Sequence, residues 1–256
     1  MEEWAANGRV ELQPNVISYN AVLDSIALSN ERGFERRAEA LLERMDQLYK
    51  DGIHFASCQP DQYSFNIVLK CWALSQERGA ARRADAILRH MERRYQNGQT
   101  GIQPDVAAYN TVMTSWARSK ERDATKRAEQ VMERMEKAYK SGNLKARPNA
   151  ISYNILMNVY AKSNEPNALT RALETLHRMK TLSQDEGRSD CRPDVFTYTS
   201  LIDTLAKEAT FESSEQASQL LEELEEQYLK SQEPALRPDI RTYTAVSSTA
   251  TFVCDI

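Results

Sequence analysis

The stretch RPDVFTYTSLID (residues 192–203) has five relatives in the same chain: QPNVISYNAVLD (13–24), QPDQYSFNIVLK (59–70), QPDVAAYNTVMT (103–114), RPNAISYNILMN (147–158) and RPDIRTYTAVSS (237–248). Each carries Pro, then Asp or Asn, then an aromatic five residues after the Pro, and the residue following that aromatic is Asn in four copies and Thr in two. The prolines Pro14, Pro60, Pro104, Pro148, Pro193 and Pro238 are 46, 44, 44, 45 and 45 residues apart. A period of this size belongs to stacked supersecondary units, each burying its apolar face against the next.

Within a unit the apolar spacing is helical. Val16, Tyr19, Val22, Leu23, Ile26 and Ala27 recur at intervals of three and four, which predicts a first helix, A, starting at the Asn or Asp after each Pro. A second helix, B, follows, with Ala38, Leu41, Leu42, Met45 and Tyr49 on one face. Met45, Met91, Met135, Met179 and Leu224 each lie 25 residues beyond the position after the aromatic, so all length variation falls in the 13 to 15 residues before the next Pro. A rigid hairpin closed by an elastic surface connector has that property. Gly52, Gly98 and Gly142, seven residues after the Met, read as C-caps of helix B. Alanine columns in helix A (Ala27, Ala73, Ala117, Ala161, Ala206) and helix B (Ala38, Ala84, Ala128, Ala172, Ala217) predict close helix crossings, and Trp72, Trp116 and Tyr160 read as core.

Composition excludes several functions. The chain of 256 residues is 41% hydrophobic and 27% charged, without the run of about 18 apolar residues that spans a bilayer, so no membrane role is expected. Its net charge of -4 lacks the basic excess of a nucleic-acid binder, and such a role would need cations gathered on one face. Cys58, Cys71, Cys191 and Cys254 show no C-x-x-C spacing, and His54, His90 and His177 do not recur at matching repeat positions, so neither a metal nor another cofactor is expected. No His or Cys cluster and no Gly-rich phosphate loop is present, and no catalytic activity is expected. The N-terminus has neither the apolar core of a signal peptide nor the Arg/Ser-rich character of a transit peptide.

The register divides the chain into the end of a truncated repeat (1–13), five repeats (14–59, 60–103, 104–147, 148–192 and 193–237) and the start of an incomplete one (238–256). Gly8 lies seven residues after Met1, as the end of a helix B would place it. Solenoids usually carry polar terminal caps, and none is visible here, so a fragment or imperfect gene model of a longer protein is expected.

RPDVFTYTSLIDTLAKEA (192–209) and the helix B that follows it resemble the pentatricopeptide repeat family, and the resemblance runs from Met1 to about Ala250 as a long-repeat variant. It implies an all-α fold: a right-handed superhelical α-solenoid of five complete hairpins with partial repeats at both ends. It also implies binding of single-stranded RNA along helix A, one base per repeat, in organellar RNA processing, stability or translation, and hence a mitochondrion or chloroplast. The alternative, a tetratricopeptide-like scaffold for protein partners, would show a W-x-x-L-G-x-x-Y pattern with a period of about 34 residues, and the chain has neither.

By the same resemblance, the base-selecting residues are the one after the aromatic and the Asp or Asn after the next Pro: Asn20 with Asp61, Asn66 with Asp105, Asn110 with Asn149, Asn154 with Asp194, and Thr199 with Asp239. These pairs would read U, U, C, U and G, a U/C-rich target, with the protein N-terminus toward the RNA 5′ end. An Asn amide offers a donor and an acceptor to a pyrimidine edge, and the shorter Thr leaves room for a purine. Base-wedging side chains are expected at Ile17, Tyr63, Ile151 and Phe196, whereas Ala107 and Arg241 depart from the aliphatic pattern. Phosphate-facing cations are expected at Arg118, Lys162 and Lys207, with Leu28 and Leu74 standing in the same column. Arg36, Arg37, Arg82 and Arg83, ahead of the helix B alanines, read as a solvated face.

Overall fold

The computed structural model of the chain describes residues 14–29, 31–51, 58–184 and 187–251. The truncated repeat assigned to residues 1–13, the C-cap assigned to Gly52, and residues 252–256 lie outside them. Among the described residues there are eleven α-helices and no strand. The A helices are α1 (Val16–Ser29), α3 (Gln62–Leu74), α5 (Val106–Arg118), α7 (Ala150–Lys162), α9 (Val195–Leu205) and α11 (Ile240–Thr251). The B helices are α2 (Phe34–Lys50), α4 (Ala80–Gln96), α6 (Ala124–Lys140), α8 (Ala168–Gln184) and α10 (Phe211–Ser231).

The helices fall into two compact units, one running to Ser119 and including Glu133–Arg147, the other comprising Lys120–Met132 and the residues from Pro148 on; α6 is divided between them. In the first, α1 packs on α2 and α3, and α3 packs on α2, α4 and α5. In the second, α7 packs on α8 and α9, and α9 packs on α8, α10 and α11. Each unit is therefore a stack of hairpins in sequence order.

Every A helix begins as its sequence dictates. The side chains of Asn15, Asp61, Asp105, Asn149, Asp194 and Asp239 accept a hydrogen bond from the backbone N–H three residues on, at 2.8 to 3.2 Å. Such a cap satisfies one of the orphan donors at a helix start and contributes about 1 kcal/mol. The motif aromatics Tyr19, Phe65, Tyr109, Tyr153 and Tyr198 are buried, as is the whole Met/Leu column of helix B. The helix B alanines are fully buried at their crossings, whereas the helix A alanines mostly sit at the edge of the core, with Ala117 alone classed as buried. Close approach thus depends on the helix B column. Trp72, Trp116 and Tyr160 are buried too.

The connector is more ordered than an elastic loop. Short 3-10 turns at Thr100–Ile102, Leu144–Ala146, Ser189–Cys191 and Pro234–Leu236 each end two residues before a Pro. Ile102, Ala146, Cys191 and Leu236, together with Cys58 ahead of Pro60, plug the core from that position. Side chains from these connectors satisfy the preceding motif's proline carbonyl: the Cys58 thiol donates to Pro14 O at 2.9 Å and Asn143 Nδ2 to Pro104 O at 2.8 Å, and an Arg188 N–H donates to Pro148 O.

Counting back from the Pro reveals a register that counting forward from the Met obscures. Gly98, Gly142 and Gly187 all lie six residues before a Pro and all have positive φ, of 90°, 99° and 63°. Gln232 holds that place before Pro238, with φ 54°. The left-handed region costs a residue with a Cβ, so Gln232→Gly is expected to stabilise the chain by about 0.5 to 1 kcal/mol, read by urea denaturation. No change in the midpoint would count against the shared register.

Candidate nucleic-acid interface

At the paired positions the structure joins residues about 40 apart. Asn20 Nδ2 donates to the Asp61 carboxylate at 3.2 and 3.4 Å, and Asn154 Nδ2 to the Asp194 carboxylate at 3.0 Å to both oxygens. Asn66 Nδ2 makes a single longer contact, 3.4 Å, to Asp105 Oδ2, which Gln62 also donates to. Thr199 bonds Thr242 instead, hydroxyl to hydroxyl at 2.9 Å, and Thr242 links it to Asp239 at 3.0 Å. Asn110 and Asn149 belong to different units; Asn149 caps α7, and Asn110 Oδ1 is buried without a hydrogen-bond partner.

These networks contain a residue that spacing did not reveal. The third residue of the following helix A carries a hydroxyl in four of the five pairs (Ser64, Ser152, Thr197 and Thr242) and is Ala108 in the other, and Ser64 Oγ and Thr197 Oγ1 donate to the amide oxygens of Asn20 and Asn154, both at 2.6 Å. These hydroxyls also complete capping boxes at the starts of α3 and α9.

One helical turn ahead of Asn20, Asn66, Asn154 and Thr199, on the same face, stand the side chains expected as wedges. Ile17 is 73% exposed, Tyr63 54%, Ile151 60% and Phe196 39%. Large apolar side chains recurring in the open at one repeat position are not explained by the core they leave. The Tyr63 hydroxyl is held by Asp24 Oδ2 at 3.0 Å, and Arg241 pairs with Asp203 at 3.3 Å, so the wedge position touches the helix A of the preceding repeat.

Arg118 and Lys162 end α5 and α7, Lys207 lies two residues beyond α9, and all three are exposed. Arg118 Nη1 reaches back to Ala73 O at 3.4 Å, and Lys207 Nζ to Ser163 O at 2.7 Å. Each thereby meets carbonyls at the C-terminus of the preceding A helix, where the helix dipole favours positive charge. Burial draws the Lys207 ammonium below the ordinary lysine value, with Asp203 opposing it.

The B helices are laced by ion pairs between neighbouring repeats. Arg36 pairs with Glu77 at 2.8 Å, Arg83 with Glu39 at 2.9 Å, and Arg134 with Asp85 at 2.6 Å and Glu92 at 3.2 Å. Arg36 and Arg83 are thus solvated yet bridging, and at this exposure each pair contributes about 0 to 1 kcal/mol. These pairs engage Glu39, Asp85 and Glu92 on the B helices and Glu77 in the turn before α4. The motif phenols anchor the same layer. Burial pushes Tyr19 up to about 12, and burial followed by a neighbouring carboxylate pushes Tyr109 and Tyr198 well above the usual tyrosine value. They stay protonated, and Tyr198 donates to Glu223 at 2.8 Å. Phe65 has no hydroxyl, and Arg94 sits over its ring at 5.7 Å.

Hairpins stacked in order, with the same polar position repeated on their A helices, define an α-solenoid repeat protein. The family model described as pentatricopeptide repeat domain matches residues 86–163, and that described as PPR repeat family matches residues 148–207. The chain is a pentatricopeptide repeat protein. It is similar to the crystal structure of the pentatricopeptide repeat protein PPR10 from maize, with 23% identity, a TM-score of 0.55, and coverage of 94% of this chain and 27% of that one; the likeness bears on the fold. The structure of PPR10 in complex with an 18-nt psaJ RNA element is matched at 20% identity and a TM-score of 0.45, over 98% of this chain and 34% of that one. The chain therefore spans roughly a quarter to a third of these proteins' length. No curated protein matches it.

Proposed function

We propose that the chain binds single-stranded RNA along its A helices, taking about one base per repeat, and that its role is binding rather than catalysis. The observation that carries this is the exposed apolar column Ile17, Tyr63, Ile151 and Phe196, each one turn ahead of a polar selecting residue. Stacking on such a side chain is tolerant of sequence, while the adjacent amide or hydroxyl meets the base edge. The pairs Asn20–Asp61, Asn66–Asp105, Asn110–Asn149, Asn154–Asp194 and Thr199–Asp239 give the reading U, U, C, U and G. Arg118, Lys162 and Lys207 supply the backbone contacts, alongside the helix-end contacts that Arg118 and Lys207 make. Organellar RNA processing, stability or translation, in a mitochondrion or chloroplast, is the setting that membership of the family favours. None of the described helices is long and apolar enough to cross a membrane.

Selection from a random single-stranded RNA pool tests the reading. Pyrimidine preference at three or more neighbouring positions is expected, and enrichment without it would sink the base assignment. Asn110→Ala is a clean companion, because Asn110 Oδ1 accepts no hydrogen bond and its removal strands no donor. It should cost about 1 to 3 kcal/mol on the preferred RNA and relax choice at one nucleotide. An equal loss on every sequence would point to a phosphate or folding role instead.

A further inference from the structure

The amides of the selecting asparagines are not held alike. At Asn20 and Asn154 both ends are engaged: the Asp carboxylate takes an N–H, and a hydroxyl donates to the oxygen at 2.6 Å. An Asn has two N–H donors, so the carboxylate contact leaves one to meet a base, and the hydroxyl on the oxygen fixes which way the amide faces. At Asn66 the residue in the hydroxyl's place is Ala108. Asn66 Oδ1 is buried without a partner, and its amide is held only through the 3.4 Å contact to Asp105.

We infer that the third residue of the following A helix is a positioning residue for base choice: Ser64 fixes the Asn20 amide, Thr197 fixes that of Asn154, and Ala108 leaves that of Asn66 held by Asp105 alone. The inference rests on the base-reading role proposed above. The physical reason lies in the two pyrimidines. Uracil offers a carbonyl oxygen where cytosine offers an amino group. An amide fixed with its N–H outward meets the carbonyl and opposes the amino group. An amide held at one end only is less firmly oriented, so the repeat starting at Pro60 discriminates U from C less sharply than those starting at Pro14 and Pro148. At Thr199 the analogous hydroxyl, Thr242, binds the selecting hydroxyl itself, so the position is held without an amide to orient.

The test uses the full chain, with Ser64→Ala, Ser64→Thr and Ala108→Ser, against the selected RNA and versions carrying single U-to-C exchanges opposite Asn20, Asn66 and Asn154. Loss of one orienting hydrogen bond in Ser64→Ala is expected to cut U-over-C discrimination about three- to tenfold opposite Asn20, leaving it intact opposite Asn154. Ser64→Thr should retain it, since Thr197 already fills the same place. Ala108→Ser should raise discrimination opposite Asn66 by a similar factor. A uniform loss of affinity in Ser64→Ala with base preferences preserved would mean that the hydroxyl only caps the helix, and would overturn the inference. Preferences that ignore all three changes overturn it as well, while leaving the base-reading role standing. An unmodified chain with no preference at any position brings down both.

Discussion

Met91→Ala is expected to destabilise the chain by about 2 to 5 kcal/mol, because the Met91 side chain is fully buried and its loss leaves a cavity that rigid helices refill poorly. Met91 belongs to α4, which packs on α3 and α5. Stability in a stacked repeat is a sum of local terms and neighbour interfaces, so the deficit should be regional. Hydrogen exchange is the informative measurement: protection should fall first in α3, α4 and α5, and remain closer to normal in α9 and α10. Leu74→Ala, at a half-exposed helix end, serves as the control and should change stability by about 0.5 kcal/mol or less. Equal loss of protection along the whole chain would show that the stack melts as one cooperative block.

Much of this core is legible in the sequence because a buried position must recur at the same point of every unit. The Met column keeps a constant offset from the motif and is buried throughout, and so do the helix B alanines. The N-caps are legible for a different reason, since a short polar side chain after Pro has one dominant local use. The helix A alanines mislead: constant identity there accompanies a position at the edge of the core.

Contacts that cross between repeats are harder to read, because their partners are some 40 residues apart and each has a sufficient local explanation. Ser64 and Thr197 satisfy a capping box, and nothing in their spacing points back to Asn20 and Asn154. Gln232 hides the connector register, since it takes a conformation that glycine takes at the same place before Pro104, Pro148 and Pro193. Arg118 and Lys207 show the same ambiguity, as a cation at a helix end can meet a phosphate or the carbonyls of the neighbouring helix. The proposed selecting pairs were named through resemblance, and the structure adds that three of them are joined within the protein itself.

That preformed joint makes Asp194 the most exacting position to change. Its carboxylate accepts from Thr197 N at 3.0 Å, capping α9, and from Asn154 Nδ2 at 3.0 Å. Asp194→Ala removes the cap and strands the N–H of a buried amide, which together should cost about 2 to 4 kcal/mol of stability. Asp194→Asn separates the two roles. Asn149 shows that an Asn caps an A helix here, accepting from Ser152 N at 3.2 Å, so most of the stability should survive. The new amide, however, would turn its own N–H groups toward those of Asn154, and two donors cannot satisfy each other. Asn154 relieves the conflict by turning its oxygen toward residue 194 and its N–H groups toward the Thr197 hydroxyl, which then acts as acceptor. The base should therefore meet a rearranged edge, and preference opposite this repeat should move from U toward C. Thermal unfolding and binding to RNAs exchanged at that one nucleotide give the two readouts. Unchanged preference in Asp194→Asn, with stability retained, would show that the Asn154–Asp194 bond belongs to the stack alone.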